Sequence, residues 1–251
     1  GRPLAQAGKV PYLPRRAMSQ LYASSVARGR VGADPVEARA KFIVRTYNHL
    51  FAAIVLFAGI EIGLFVSGLA GVIAQAMLGR SWLLVLGGFV LVSWGASHVA
   101  HRALSKPAQY AALLAMVVAQ AIVFVPLLFI ADKVAPGAIQ SAALVTMLGF
   151  SGLTAIAFVT RKDFSFLRGL LFWGGLVALI AIIAGVVFSF QLGTFFSVLM
   201  VGFAGIAILY DTSNVIHHFP EDRYVAAALE LFASVAMMLW YVLRIFIASR
   251  D

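Results

Sequence analysis

Residues 169–210 read GLLFWGGLVALIAIIAGVVFSFQLGTFFSVLMVGFAGIAILY, forty-two positions without one charged side chain. A bilayer's hydrocarbon core, about 30 Å thick, is crossed by about 20 apolar helical residues rising 1.5 Å each. The run is therefore two crossings. The chain must reverse within it, near Ser189, Gln191, Gly193 and Thr194, where polar side chains and a glycine interrupt the apolar pattern. Both crossings must be helices, because the other spanning solution is a closed barrel whose strands alternate polar and apolar residues, and this run is apolar on every face.

Working outward, apolar runs between polar punctuation predict spans at 43–68, 82–101, 107–131, 137–160, 165–188, 193–215 and 224–247. The expected fold class is all-α: a polytopic membrane protein with seven transmembrane helices in one bundle over residues 42–251, preceded by a basic tail, residues 1–41. Composition agrees, since 62% hydrophobic residues with 12% charged far exceeds the roughly half found in soluble domains. The absence of cysteine removes disulfides, thiolate metal sites and a cysteine nucleophile. No cofactor is expected.

Fifteen of the nineteen Lys and Arg residues fall in the tail and in the alternate links that share its side, which puts the amino terminus in the cytoplasm and the carboxyl terminus outside. The net charge of +9 is then sidedness plus attraction to anionic lipid, and no nucleic-acid partner is invoked. The tail, with Arg28, Gly29 and Arg30 in a row, reads as mobile and cytosolic; its arginine-rich, acid-poor composition leaves a transit peptide as the alternative. Glycine pairs at 149 and 152, 174 and 175, and 202 and 205 read as close helix packing, and Pro126 as a kink or loosening of span three.

Three acidic residues interrupt the apolar spans: Glu61, Asp211 and Glu230. A charge at the centre of a spanning helix costs about 2.5–3.5 kcal/mol on insertion scales, so such residues face a bundle interior, a wet cavity or a partner. Asp211 near the end of span six and Glu230 near the start of span seven lie at similar depths, and Ser234, four residues after Glu230, shares its helix face. Two carboxylates brought together in low dielectric make a site that takes up a proton or a cation according to pH. The plainer account is that each pairs with a nearby arginine or reaches the interface. Span two delivers His98, His101 and Arg102 to the same side, so Arg102 either pairs with Asp211 and closes a cytoplasmic mouth or acts as a positive-inside anchor. Glu61, in the outer half of span one, marks the other end of a path, while His49 reads as a hydrogen-bonding contact between helices. His217 and His218 with Glu221 and Asp222 lack the spacing of a metal site and read as a solvated loop.

Enzyme readings fail on missing residues. Gly149-Phe150-Ser151-Gly152 matches the serine motif of rhomboid proteases, but no histidine lies within the later spans to activate it. Tyr210-Asp211 matches half of a presenilin-type dyad, yet the later aspartates, Asp222 and Asp251, are not within a span. A retinal Schiff base lacks its lysine, since none follows Lys162.

The chain resembles the Bax inhibitor-1 family of seven-span proteins. The resemblance rests on Lys162 through Leu167 (KDFSFL), Ile208 through Ile216 around Leu209-Tyr210-Asp211, Ala228-Leu229 with Leu243-Arg244-Ile245-Phe246, and Pro126; in order and spacing it covers residues 43–247. It implies helices around a central seventh span, a bacterial inner membrane, and a pH-sensitive calcium leak, with regulation of a membrane-bound ATP-dependent protease in some bacterial relatives. It also implies that Asp211 is the first family aspartate, beside a second-span arginine for which Arg102 is the nearest match, and that Ser234 stands where the second family aspartate would be. That departure removes the paired-aspartate sensor as such, with Glu230 one turn away as the substitute.

The resulting expectation is a calcium or cation leak gated at its cytoplasmic end by Asp211, with Glu230 as second carboxylate, both making transient calcium contacts, and Arg102 as the counter-charge of the closed state. The rival is a non-transporting adaptor whose basic tail docks a partner such as a membrane protease. A carrier for a small organic solute is the third option.

Overall fold

The computed structural model describes Pro14 and residues 35–78, 82–102 and 105–250. The expectations for Arg28–Arg30 and for most of the tail lie outside the described residues. Eight α-helices are described: α1 Pro35–Val66, α2 Leu69–Met77, α3 Trp82–Arg102, α4 Lys106–Val134, α5 Ala138–Thr160, α6 Leu167–Val187, α7 Gly193–His217 and α8 Tyr224–Ala248, with a single 3₁₀ turn, Glu221–Arg223, leading into α8. All but α2 are long and apolar enough to cross a membrane. No strand occurs among the described residues.

The reversal inside the charge-free run lies where polar residues punctuate it. Helix α6 ends at Val187, Ser189 takes a left-handed φ of 56°, and α7 begins at Gly193. Helix α1 starts at Pro35, earlier than the expected 43, with proline pre-set for a first turn and Glu37 favourable at a helix amino terminus. The segment after α1 is not simply a loop: Gly68, at a φ of 77° that side-chain-bearing residues resist, ends one helix and lets α2 begin one residue later. Ala70 and Ala74 of α2 then bury against Val125 of α4. Pro126 is buried inside α4, which runs on through it as one helix.

Helix α8 forms the centre, packing against α3, α4, α5 and α7. Every residue from Val225 to Leu229 is buried, as are Leu231, Phe232 and Leu243 further along. Helix α1 meets this core through bulky aromatics, with Phe57 edge-on to Phe124 of α4 and to Phe232 of α8. Close approach elsewhere rests on one glycine of each expected pair. An added Cβ would meet Met238 Sδ at 3.2 Å from Gly149, Phe203 Cε2 at 2.8 Å from Gly174 and Leu153 Cδ1 at 3.3 Å from Gly205. Gly152 and Gly202 face open space. The outer faces carry exposed leucine, valine and phenylalanine, the pattern of a bundle whose solvent is lipid.

Candidate functional site

The carboxyl-terminal ends of α3 and α7 meet the amino-terminal end of α8 at one end of the bundle, together with Arg161, Lys162, Arg168 and Arg223; this is its basic end. Three contacts hold the elements there. Arg223 donates from its guanidinium to the carbonyls of His101 and, at 3.4 Å, Ala100, satisfying acceptors that the last turn of α3 would otherwise leave open. Lys106, at the start of α4, donates to the carbonyl of Asp222 and lies 4.2 Å from the ring centroid of Tyr224. The link before α6 is tied to α7 by Ser213, whose hydroxyl accepts from the Phe164 amide at 2.9 Å, and by His218, 3.3 Å from Asp163. The Ser165 amide donating to Asp163, with His218 and His217 nearby, holds that exposed carboxyl below the ordinary aspartate range.

Asp211 and Glu230 each lie six residues into their helices from this end, about 9 Å at 1.5 Å per residue. Their side chains have different partners. Asp211 is 7% exposed and accepts a hydrogen bond from the Ser234 hydroxyl at 2.5 Å, within the range of about 2.5–2.7 Å typical of a hydroxyl donating to a carboxylate. Glu230, one turn nearer the basic end of α8, directs its carboxylate to Nε2 of His101. The two carboxyl groups are not hydrogen-bonded to each other, but Glu230 and His101 are the charged neighbours that act on Asp211.

The expected Arg102–Asp211 pair is not formed. Arg102 is exposed at the last position of α3 and makes no ion pair among the described residues. Successive residues on a helix point about 100° apart, so the register that aims His101 at α8 turns Arg102 away. Glu61 is also apart from the site: it is buried, 6% exposed, and neither carboxylate oxygen has a hydrogen-bond partner. His49 bridges helices, accepting from or donating to Tyr110 of α4 at 2.9 Å, with its other ring nitrogen on the Arg45 carbonyl. Among the described residues, no group of three or more His, Asp or Glu is arranged to hold a metal ion.

A hydroxyl cluster beside Asp211 was not anticipated. Tyr47 of α1 brings its hydroxyl toward Thr154 of α5 and Thr212 of α7, with Asp211 close by. None of these three buried hydroxyls completes a hydrogen bond of good geometry. Threonine and tyrosine are common in packed helices, so sequence offered only one hint, the adjacency of Thr212 to Asp211.

Two cavities approach the site from opposite sides. At the basic end, a cavity of about 620 Å³ is lined by His101, Tyr210, Asn214, Arg223 and Glu230, among others. From the opposite end a larger one, about 880 Å³, runs between α3, α4, α6, α7 and α8 down to Ser234. Glu230 lines the first and Ser234 the second, so about one helical turn, some 6 Å, separates them along α8. The Asp211–Ser234 bond and the His101–Glu230 pair occupy that septum.

A family model described as inhibitor of apoptosis-promoting Bax1 matches residues 39–251. Among curated proteins, the chain is 38% identical over 115 residues to an uncharacterised protein of Pseudomonas aeruginosa, covering 45% of this chain and 51% of that one. It is 36% identical over 108 residues to the modulator of FtsH protease YccA of Escherichia coli, covering 42% and 49% respectively. In another strain of that species the corresponding protein is called inner membrane protein YccA. The chain spans about half the length of the curated relatives it matches.

Proposed function

Since the chain belongs to the Bax inhibitor-1 family of membrane proteins, we propose that it is a cation leak protein, with calcium as the permeant ion, gated by the carboxylate site where α7 and α8 meet. What carries this reading is a buried Asp211 bonded to Ser234 in a septum one turn thick, with a cavity on either side. A structural carboxylate needs no such approaches; one that meets passing cations does. The distribution of Lys and Arg supports the basic end as cytoplasmic and an amino terminus inside. The inner-membrane naming of YccA supports a bacterial inner membrane as the location.

In the closed state Ser234 occupies Asp211 and His101 occupies Glu230, so neither carboxylate is free to replace water around a cation. Ser234 stands where the resemblance puts a second aspartate, and it supplies a fixed hydroxyl donor in place of a shared proton. Opening requires α7 and α8 to part by enough to break the Asp211–Ser234 bond. The two contacts differ in weight. Breaking the buried Asp211–Ser234 bond leaves an unsatisfied acceptor at a cost of about 1–3 kcal/mol, whereas His101 and Glu230 are 40% and 25% exposed, where an ion pair contributes about 1 kcal/mol or less. Ser234 is the lock and His101 a pH-dependent latch.

The sign of the pH response follows from the latch. His101 attracts Glu230 as an ion pair only while protonated, and the charged groups facing it are Glu230 of α8, Arg223 of the 3₁₀ turn and Asp211 of α7. Deprotonation of His101 as pH rises removes the attraction and frees the Glu230 carboxylate for a cation, so leak rises with pH.

A second reading is favoured by the relative named as a modulator of FtsH protease: the protein regulates a membrane-bound protease, and the site is a conformational element rather than a pore. Liposomes holding the purified protein and a trapped calcium dye separate the two. The leak reading expects calcium entry above that of empty vesicles and greater at pH 8 than at pH 6; no entry at any pH leaves the modulator.

A further inference from the structure

The cavity of about 880 Å³ has a property that a cation path does not call for: its walls are overwhelmingly apolar, and among its lining residues Arg244 alone is charged. Phe89 of α3, Phe124 of α4, Ile182 of α6 and Trp240 of α8 line it. Its size falls within the range of about 300–1,000 Å³ of small-molecule sites. The helices on its two flanks, α3 and α6, expose Leu91 and Val92, and Ile180 and Ile183, on their outer surfaces, so the medium beside the cavity is lipid rather than water.

Arg244 lies four residues before the end of α8, about 6 Å at 1.5 Å per residue, and so near the level of lipid headgroups. Its guanidinium sits 6.0 Å from the ring centroid of Tyr241 and has no carboxylate partner among the described residues. A planar cation at the head of an apolar cavity suits an amphiphile with a phosphate at one end and a hydrocarbon chain at the other, because guanidinium binds phosphate through paired hydrogen bonds. We infer that this cavity is a binding site for an anionic phospholipid, with one acyl chain between α3 and α6 and the phosphate on Arg244. An anionic headgroup is selected over a zwitterionic one because the latter brings its own ammonium to an uncompensated arginine.

Trp240 reports occupancy directly. In a variant carrying W82F, W94F and W173F, Trp240 is the remaining tryptophan, and the protein is reconstituted in phosphatidylcholine vesicles doped with brominated phosphatidylglycerol or brominated phosphatidylcholine. The expected result is saturable quenching by the anionic lipid at a mole fraction about fivefold lower than for the zwitterionic one, the effect of one basic side chain at an anionic headgroup. Arg244→Gln should abolish the preference and Arg244→Lys retain part of it, while Arg250→Gln, at an exposed cation outside the cavity, should leave it intact. Equal quenching by both lipids, or a preference that survives Arg244→Gln, would overturn the site. Quenching reads occupancy whether or not ions pass, so its failure leaves the leak reading standing, and the reverse.

Discussion

Replacing Ser234 by alanine removes the hydroxyl that donates to buried Asp211 and changes little else, since Ser234 is itself 6% exposed and the substitution deletes a single oxygen. The substitution leaves a buried acceptor without its donor, which costs about 1–3 kcal/mol. If the bond exists only in the closed state, the closed-to-open ratio falls by that energy, which at 1.4 kcal/mol per decade is about five- to a hundredfold. Calcium entry into dye-loaded liposomes at pH 7 should rise in proportion until the open state dominates. Ser234→Asp supplies the control, because it puts a carboxyl where the hydroxyl was and converts the lock into one that depends on a shared proton. Its leak should be low in acid and climb more steeply with pH than that of the wild type. An S234A protein that folds, as judged by its melting temperature in detergent, and leaks at the wild-type rate would refute the idea that this bond holds the site shut.

His101→Gln should remove the latch without touching the lock: leak at pH 6 rises toward its pH 8 value, a change of about fivefold or less for a contact worth about 1 kcal/mol, while Arg102→Ala leaves the pH profile unaltered. Gly174→Ala forces a Cβ to 2.8 Å from the Phe203 ring and should destabilise the α6–α7 contact by about 1–3 kcal/mol, read as a lowered melting temperature, whereas Gly152→Ala, facing open space, should cost nothing comparable. Asp163 is held below the ordinary aspartate range by the Ser165 amide and the neighbouring histidines, so its contribution is fully present above that range and is lost as pH falls through its folded value. Asp163→Asn should accordingly flatten the acid limb of a melting-temperature profile and leave the neutral region little changed.

The fold was legible because lipid imposes one rule over the whole chain. Helix ends expected at 193 and 224 start α7 and α8 at those residues, and the reversal near Ser189 needed only the length of a charge-free run. What escaped were features whose signal is local. Helix α2 is apolar and short, so it could not be told from a loop without the left-handed Gly68 that sets it off. Pro35 and Glu37 are amino-terminal helix signals, but the polar residues around them read as tail. The site was half legible. Asp211 and the face shared by Glu230 and Ser234 follow from helical spacing; which of them meets Asp211 does not, because one turn of α8 decides it and depth alone cannot. The choice between His101 and Arg102 turned on about 100° of helix rotation, a quantity that positive-inside counting never sees. The orphaned hydroxyls of Tyr47, Thr154 and Thr212 come together from three helices far apart in sequence, where no spacing rule reaches.

The central claim is that the Asp211 carboxylate governs cation passage through the septum between the two cavities. Calcium flux into liposomes containing wild type or Asp211→Asn, followed from pH 6 to pH 8 at matched protein density, tests it most directly. The account predicts that the wild-type leak rises with pH and that the Asn variant, unable to present a charge at that depth, loses most of the flux at every pH. Equal leaks across the whole interval would contradict it.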